Sequence, residues 1–276
     1  MKTIYKLTIL ALAGLPLFGG TASAHTTHER RDAVTVEDVR IPVAGQAPVS
    51  AYLVRPEHGG RSLAGVLYLH WFEPPASTQN RTEFLAEAVD LAAQGVVAVL
   101  PQLTFPWQGD PVGDARDRTA VLDQYKAVAK AYDFLVAQPG VDRHRTAVVG
   151  HDYGAMYGAM VAQRTPTLRT AVLMAPDATW ANWFDTYWLG LPDDQKPAYR
   201  ALFAGLDPVA NVSRLGSALY LQFGGRDQFV PAETRAAFAA ANPDAKVSFS
   251  ATADHFLQQP AKDDRLTWLT TTLHLA

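Results

Sequence analysis

Cysteine is absent from all 276 residues. Its absence excludes a disulfide framework, thiolate metal ligation and a thiol nucleophile. Charge is sparse, with 24 basic against 27 acidic residues and a net charge of −3. A nucleic-acid partner needs a basic surface, so none is expected. Internal repeats and low-complexity segments are missing. Neither H-E-x-x-H nor H-x-x-E-H occurs, and no metal or cofactor is expected. The longest apolar stretch, residues 7–18, is too short to span a bilayer comfortably. It follows Lys2 and Lys6 and precedes Ala22-Ser23-Ala24, the order of a cleavable secretory signal. Residues 1–24 are therefore expected to be removed, leaving a secreted or periplasmic protein with no membrane association. With no cysteine after the apolar stretch, a lipid anchor is excluded.

What is present fits one domain. Cleavage would leave 252 residues, 22 of them basic and 27 acidic. That size suits a single α/β core, and 48% apolar composition supplies it. Residues 25–33 are polar and are expected to be a mobile segment. His25, His28 and Glu29 within them have no further ligand placed nearby and read as a solvated tail rather than a metal site. The domain proper is expected over 34–276.

Val34, Val36, Val39 and Ile41 alternate with polar residues, and 49–54 follows beyond Gly45, which predicts an antiparallel hairpin. Residues 65–70 and 96–100 are continuous apolar runs, as strands buried on both faces require. Between them the apolar spacing over 82–93 predicts a helix ended by Gly95. Residues 103–117 read as a loop, 119–137 as a helix, 146–149 as a strand, and 153–163 as a helix. Strands at 170–174, 218–223 and 247–250 alternate with helices at 231–241 and 264–274. This order predicts a mostly parallel sheet with helices on both faces. Residues 177–217 break the pattern with Pro192, Pro197 and Pro208, and read as a small lid. Its Trp180, Trp183 and Tyr187 either line a substrate pocket or pack the segment onto the body.

The chemistry gathers at Gly150-His151-Asp152-Tyr153-Gly154. A short strand, glycines on both sides of one residue and a small-residue helix form the pattern of a nucleophile elbow. Asp152 stands at the tip. Asp227 in Gly224-Gly225-Arg226-Asp227 and His255 in Asp254-His255-Phe256 follow, each past the carboxyl end of a strand. That is the nucleophile, acid, histidine order of the α/β-hydrolase fold. Asp227 also reads as a turn or cap residue, and Asp254 is a rival acid expected to point away from His255. His151 reads as a support for the turn. His70, at the end of a buried strand, reads as a hydrogen-bonded group beside the site. The oxyanion hole is expected to use the Tyr153 N–H and a second from Trp71 or Phe72. Glu73 is either a second acid or a loop charge. His70 and Glu73 are also counted among residues that could face a substrate.

Two resemblances meet on these residues. The small lid, Gly224-Gly225-Arg226-Asp227-Gln228-Phe229-Val230-Pro231 and Asp254-His255-Phe256 resemble the dienelactone hydrolase family over most of the mature chain. That resemblance implies an α/β-hydrolase that cleaves esters or lactones with a Cys or Ser nucleophile, whereas this chain has Asp152. The elbow itself is similar to the Gly-His-Asp-Trp-Gly of haloalkane dehalogenases and epoxide hydrolases, families that attack with Asp. Their halide-binding Trp is Tyr153 here, and residues 177–217 are too few for their larger helical cap.

A carboxylate is ionised at neutral pH and needs no base to attack a saturated carbon. On an acyl carbon it would give an anhydride, so there Asp152 is better suited to act as a base on water. The expected function is hydrolysis of a small organic substrate, an ester or lactone, or an alkyl-carbon substrate such as an epoxide or haloalkane. The alternative is a non-catalytic ligand-binding protein on the same scaffold with a degenerate nucleophile. Nothing in the sequence sets the oligomeric state.

Overall fold

The computed structural model describes residues 34–58, 60, 62–71, 80–106 and 108–275. The expected signal and polar tail, together with Phe72 and Glu73, lie outside the described residues. Among the described residues, eight strands form one sheet: β1 (Val34–Ile41), β2 (Val49–Pro56), β3 (Leu63–Leu69), β4 (Val96–Pro101), β5 (Val141–His151), β6 (Thr170–Met174), β7 (Leu219–Gly224) and β8 (Lys246–Ser250). Their spatial order is β1-β2-β4-β3-β5-β6-β7-β8. β1 and β2 pair antiparallel, as do β2 and β4, and every other pairing is parallel.

Among the described residues, eight α-helices accompany the sheet. They are α1 (Leu85–Ala92), α2 (Ala115–Val136), α3 (Tyr153–Arg164), α4 (Trp180–Phe184), α5 (Lys196–Leu202), α6 (Pro208–Asn211), α7 (Ala232–Ala241) and α8 (Ala261–Thr272). Side chains alternate across the sheet. Leu67, Leu69, Val99 and Val148 pack with α2 and α3 on one face. Val66, Tyr68, Ala98 and Val149 pack with α1 and α8 on the other. The predicted two-faced, mostly parallel sheet with an opening hairpin is what forms.

Boundaries moved where polar residues hid them. β5 begins at Val141, not 146, because its first half is partly exposed and carries Asp142, Arg143, His144 and Arg145. α2 begins at Ala115, since the Asp114 side chain accepts from the Arg116 amide at the helix start. Residues 177–217 hold three short helices, a π turn at Asp185–Leu189 and the start of a 3-10 turn. Trp180, Phe184 and Phe203 are fully buried and continue the core over α3. Asn80-Arg81-Thr82 and Asn211-Val212-Ser213 fit the N-x-S/T glycosylation pattern, but both asparagines are buried, and neither is placed to accept a glycan.

Candidate active site at the carboxyl edge of the sheet

The elbow is built by close approach. A Cβ on Gly154 would collide with the carbonyl oxygens of Leu69 and His70, and one on Gly150 with the backbone of Gly154 and Ala155. Only glycine lets β5, β3 and α3 come so near. Between them Asp152 is held at φ 54, ψ −126, a positive φ that residues with side chains rarely adopt. Such a residue costs on the order of 1–3 kcal/mol and persists only where its surroundings over-determine it. Here its N–H donates to Met174 O at 2.8 Å, and its carbonyl accepts from Ala155 and Met156 at 3.0 and 3.2 Å. Tyr153 follows as the first residue of α3. A first-turn amide has no intrahelical acceptor and points along the helix axis.

Asp227 and His255 come together past β7 and β8. The His255 Nδ1–H donates to Asp227 Oδ2 at 2.9 Å, while Nε2 faces Asp152 Oδ1 at 4.0 Å. The other Asp227 oxygen accepts from the Phe229 and Val230 amides. One carboxylate therefore shapes its own turn and orients the ring. Gly224 and Gly225 let this turn lie on the histidine loop, because a Cβ on either would strike the backbone of residues 251–254. Asp254 instead accepts from the Phe256 amide.

The electrostatics are one-sided. Burial alone would raise the Asp227 pKa, but the hydrogen bond and charge of His255 and two amides bring it below the usual value. Burial alone would lower that of His255. The Asp227 hydrogen bond and the charges of Asp152, Asp227 and Glu83 outweigh it, and the pKa is raised. Asp177, just past β6, was missed by sequence reasoning, which saw it only as a lid boundary. It is buried, and burial, with a smaller push from the Asp152 charge, lifts its pKa to about 6.

Glu83 was also missed; nothing but an acidic residue near a helix start marked it. Its Oε2 accepts from the Trp71 N–H at 2.7 Å, and its Oε1 lies 2.6 Å from His151 Nδ1. Of the two expected second oxyanion donors, the Trp71 amide is engaged by a carboxylate, and Phe72 lies outside the described residues. His151 Nε2 lies 2.9 Å from the His255 carbonyl oxygen. Both ring nitrogens face oxygen atoms, one of a carboxylate and one of a backbone carbonyl. The ring stacks between Trp71 and His255, with centroids 5.3 and 5.2 Å away. His151 thus supports the histidine loop as well as the turn.

His70 behaves as a structural group. Its Nδ1–H donates to Trp71 O at 2.8 Å and its Nε2 accepts from Leu103 N at 2.9 Å. Burial pulls its pKa down to about 4, so the ring stays neutral. Trp180 is fully buried against Tyr157, and Trp183 stacks on Tyr153 at 5.8 Å. Of the two readings of the lid aromatics, packing therefore holds for Trp180. Tyr187 is partly exposed and donates to Phe229 O. Phe229, 47% exposed, and Phe256, 43% exposed, pack on His255 at 5.0 and 6.2 Å and form an apolar rim that the sequence did not disclose.

The family profile of the prolyl oligopeptidase family matches residues 86–269, more than half of the chain. The chain belongs to that family. No curated protein matches it significantly. Among solved structures, an acetyl xylan esterase from Paenibacillus sp. R4 is 16% identical with a TM-score of 0.68, over 90% of this chain and 87% of that one. A protein assigned as a dienelactone hydrolase from Klebsiella pneumoniae subsp. pneumoniae is 20% identical with a TM-score of 0.61, over 88% and 99%. An acylaminoacyl peptidase from Pyrococcus horikoshii is 14% identical with a TM-score of 0.63. The match spans 87% of this chain but only 41% of that peptidase. At these identities the likeness establishes the α/β-hydrolase fold, and with the family it places the chain among hydrolases of that type, in keeping with the dienelactone hydrolase resemblance.

Proposed function

We propose that the chain is an exported hydrolase of small, largely apolar organic substrates, working through Asp152, Asp227 and His255. The observation that carries this reading is the His255 ring, tied by Nδ1 to Asp227 at 2.9 Å and turned by Nε2 toward Asp152 at 4.0 Å. A gap of 4.0 Å is longer than a hydrogen bond. It suits a histidine that serves a water, next to a nucleophile that needs no base. The apolar rim of Phe229 and Phe256 supports an uncharged substrate.

In the favoured course an Asp152 oxygen attacks a saturated carbon. A C–O bond forms, and the leaving group departs with the electron pair of its bond. The resulting ester carries no charge. This removes one of the charges that hold the His255 pKa up, so the ring gives up its proton more easily when a base is next needed. His255 then takes a proton from water, and the hydroxide adds to the ester carbonyl. The Tyr153 N–H is assigned to the developing oxyanion. Collapse expels the alcohol, which takes its proton from His255, and the carboxylic acid left on Asp152 gives its proton to solvent, restoring the carboxylate.

A second reading is favoured by the names of the structural relatives, an esterase, a dienelactone hydrolase and an acylaminoacyl peptidase. In it the substrate is acyl, and Asp152 with His255 activates water directly. A single turnover in ¹⁸O water, with mass spectrometry of the peptide holding Asp152, separates the two. Label in the carboxylate supports the alkyl ester; turnover without label supports the acyl course. A panel of esters, lactones, epoxides and haloalkanes, with Asp152→Ala as control, tests both. Tight binding without turnover across the panel would instead favour a non-catalytic binder.

A further inference from the structure

His255 stands in a lightly held part of the molecule. β8, the strand before it, lies at the edge of the sheet among the described residues. It is five residues long, and three of them are exposed. The loop that follows is closed by long contacts, Ala253 N–H to Ser250 O at 3.3 Å and Leu257 N–H to Asp254 O at 3.4 Å. Arg226 N–H donates to Ala253 O at 2.9 Å and ties the loop to the acid turn. Asp227 fixes how the His255 ring is turned, through Nδ1. The main-chain carbonyl of His255 is held from the elbow, by His151 Nε2 at 2.9 Å.

His151 immediately precedes Asp152, so one side chain links the histidine loop to the backbone of the nucleophile. The 4.0 Å between His255 Nε2 and Asp152 Oδ1 spans the same two segments. The His151 side chain is 1% exposed. Its ring lies between those of Trp71 and His255, at interplanar angles of 24° and 29°. Stacking on two faces still lets a ring turn in its own plane, and the contact at the second nitrogen settles that rotation. Glu83 Oε1 supplies the contact, 2.6 Å from Nδ1. Its Oε2 accepts from the Trp71 N–H at 2.7 Å, so neither oxygen is free to swing. The segment before α1, the end of β5 and the loop after β8 are thereby fixed against one another.

We propose that Glu83 and His151 are positioning residues: Glu83 orients the His151 ring, and His151 sets the distance between His255 and Asp152. The proposal rests on the reading of His255 as the base. Glu83→Ala and His151→Phe, which keeps a stacking ring, are each expected to lower kcat about a hundredfold, the cost of a roughly 1 Å misplacement. KM should change by no more than about twofold, since ground-state binding is untouched. The double variant should lose far less than the product of the two, because one residue acts through the other. Glu83→Gln can offer its oxygen to Trp71 and its amide protons to His151, and should recover most of the loss. A second readout needs no turnover. The groups facing His255 are Asp152 and His151 from the elbow, Asp227 from the acid turn and Glu83. Asp152→Asn should lower the His255 midpoint followed by proton NMR, and this shift should shrink in the Glu83→Ala and His151→Phe backgrounds. Should one of these fail to fold, the other carries the test. A parent inactive on every substrate would sink the catalytic reading, while the NMR shifts would still judge the positioning. Unchanged kcat in the folded variants, losses that multiply in full, or an equal midpoint shift in all backgrounds would overturn the proposal.

Discussion

At the scale of the residue, the site turns on how three side chains share charge. Asp152 contributes to the raised pKa of His255, so Asp152→Asn should move the His255 titration midpoint down. The imidazole Cε1–H resonance reads this directly, and an unmoved midpoint would mean that the two groups are not coupled. Asp227→Asn should leave the fold intact and lower kcat about 10⁴-fold, because the ring loses the acceptor that fixes its tautomer. Turnover within tenfold of the parent would remove Asp227 from the machinery. His255→Gln should accumulate a covalent adduct on Asp152, visible in the intact mass, if the alkyl course holds.

At the scale of the element, the elbow and the start of α4 carry opposite lessons. The elbow is enforced by backbone contact, so Gly154→Ala has no flexible neighbour to displace. It should cost at least about 1–3 kcal/mol, the usual range for overpacking, measured by urea unfolding. α4 begins among carboxylates. Asp177 accepts from the Thr179 N–H and the Asn182 side chain, and Asp207 from the Trp180 N–H. Burial lifts the pKa of each to about 6 from 3.8. The folded state then holds more protons than the unfolded state between these values, so this pair makes stability fall as pH rises from about 4 to about 6. Asp177→Asn should flatten that decline in thermal midpoints measured across the window. An identical slope in the variant would show that the burial is not felt.

At the scale of the molecule, a buried ion pair fastens α8 to α1. Arg265 donates to both Glu87 oxygens and to Gln222, and Tyr68 donates to Glu87. Removing one partner strands the other, so Glu87→Ala should cost about 3–5 kcal/mol. Glu87→Leu combined with Arg265→Met should cost less than the sum of the single changes, read from denaturant unfolding. The sequence did not disclose this pair, because nothing local links residues 178 positions apart.

Strand and helix order, the elbow and the acid–histidine pair were legible in the sequence, because each is written in local terms. Apolar runs of strand length, glycines flanking one residue and loops just past strand ends all follow from backbone sterics and the burial of apolar side chains. The groups that act through space were not legible. Glu83 holding the Trp71 amide, Asp177 beside Asp152, the burial of Trp180 and the contact of His151 with the His255 carbonyl depend on which distant segments meet. Packing alone decides that, since desolvation and hydrogen-bond partners exist only once the chain has folded.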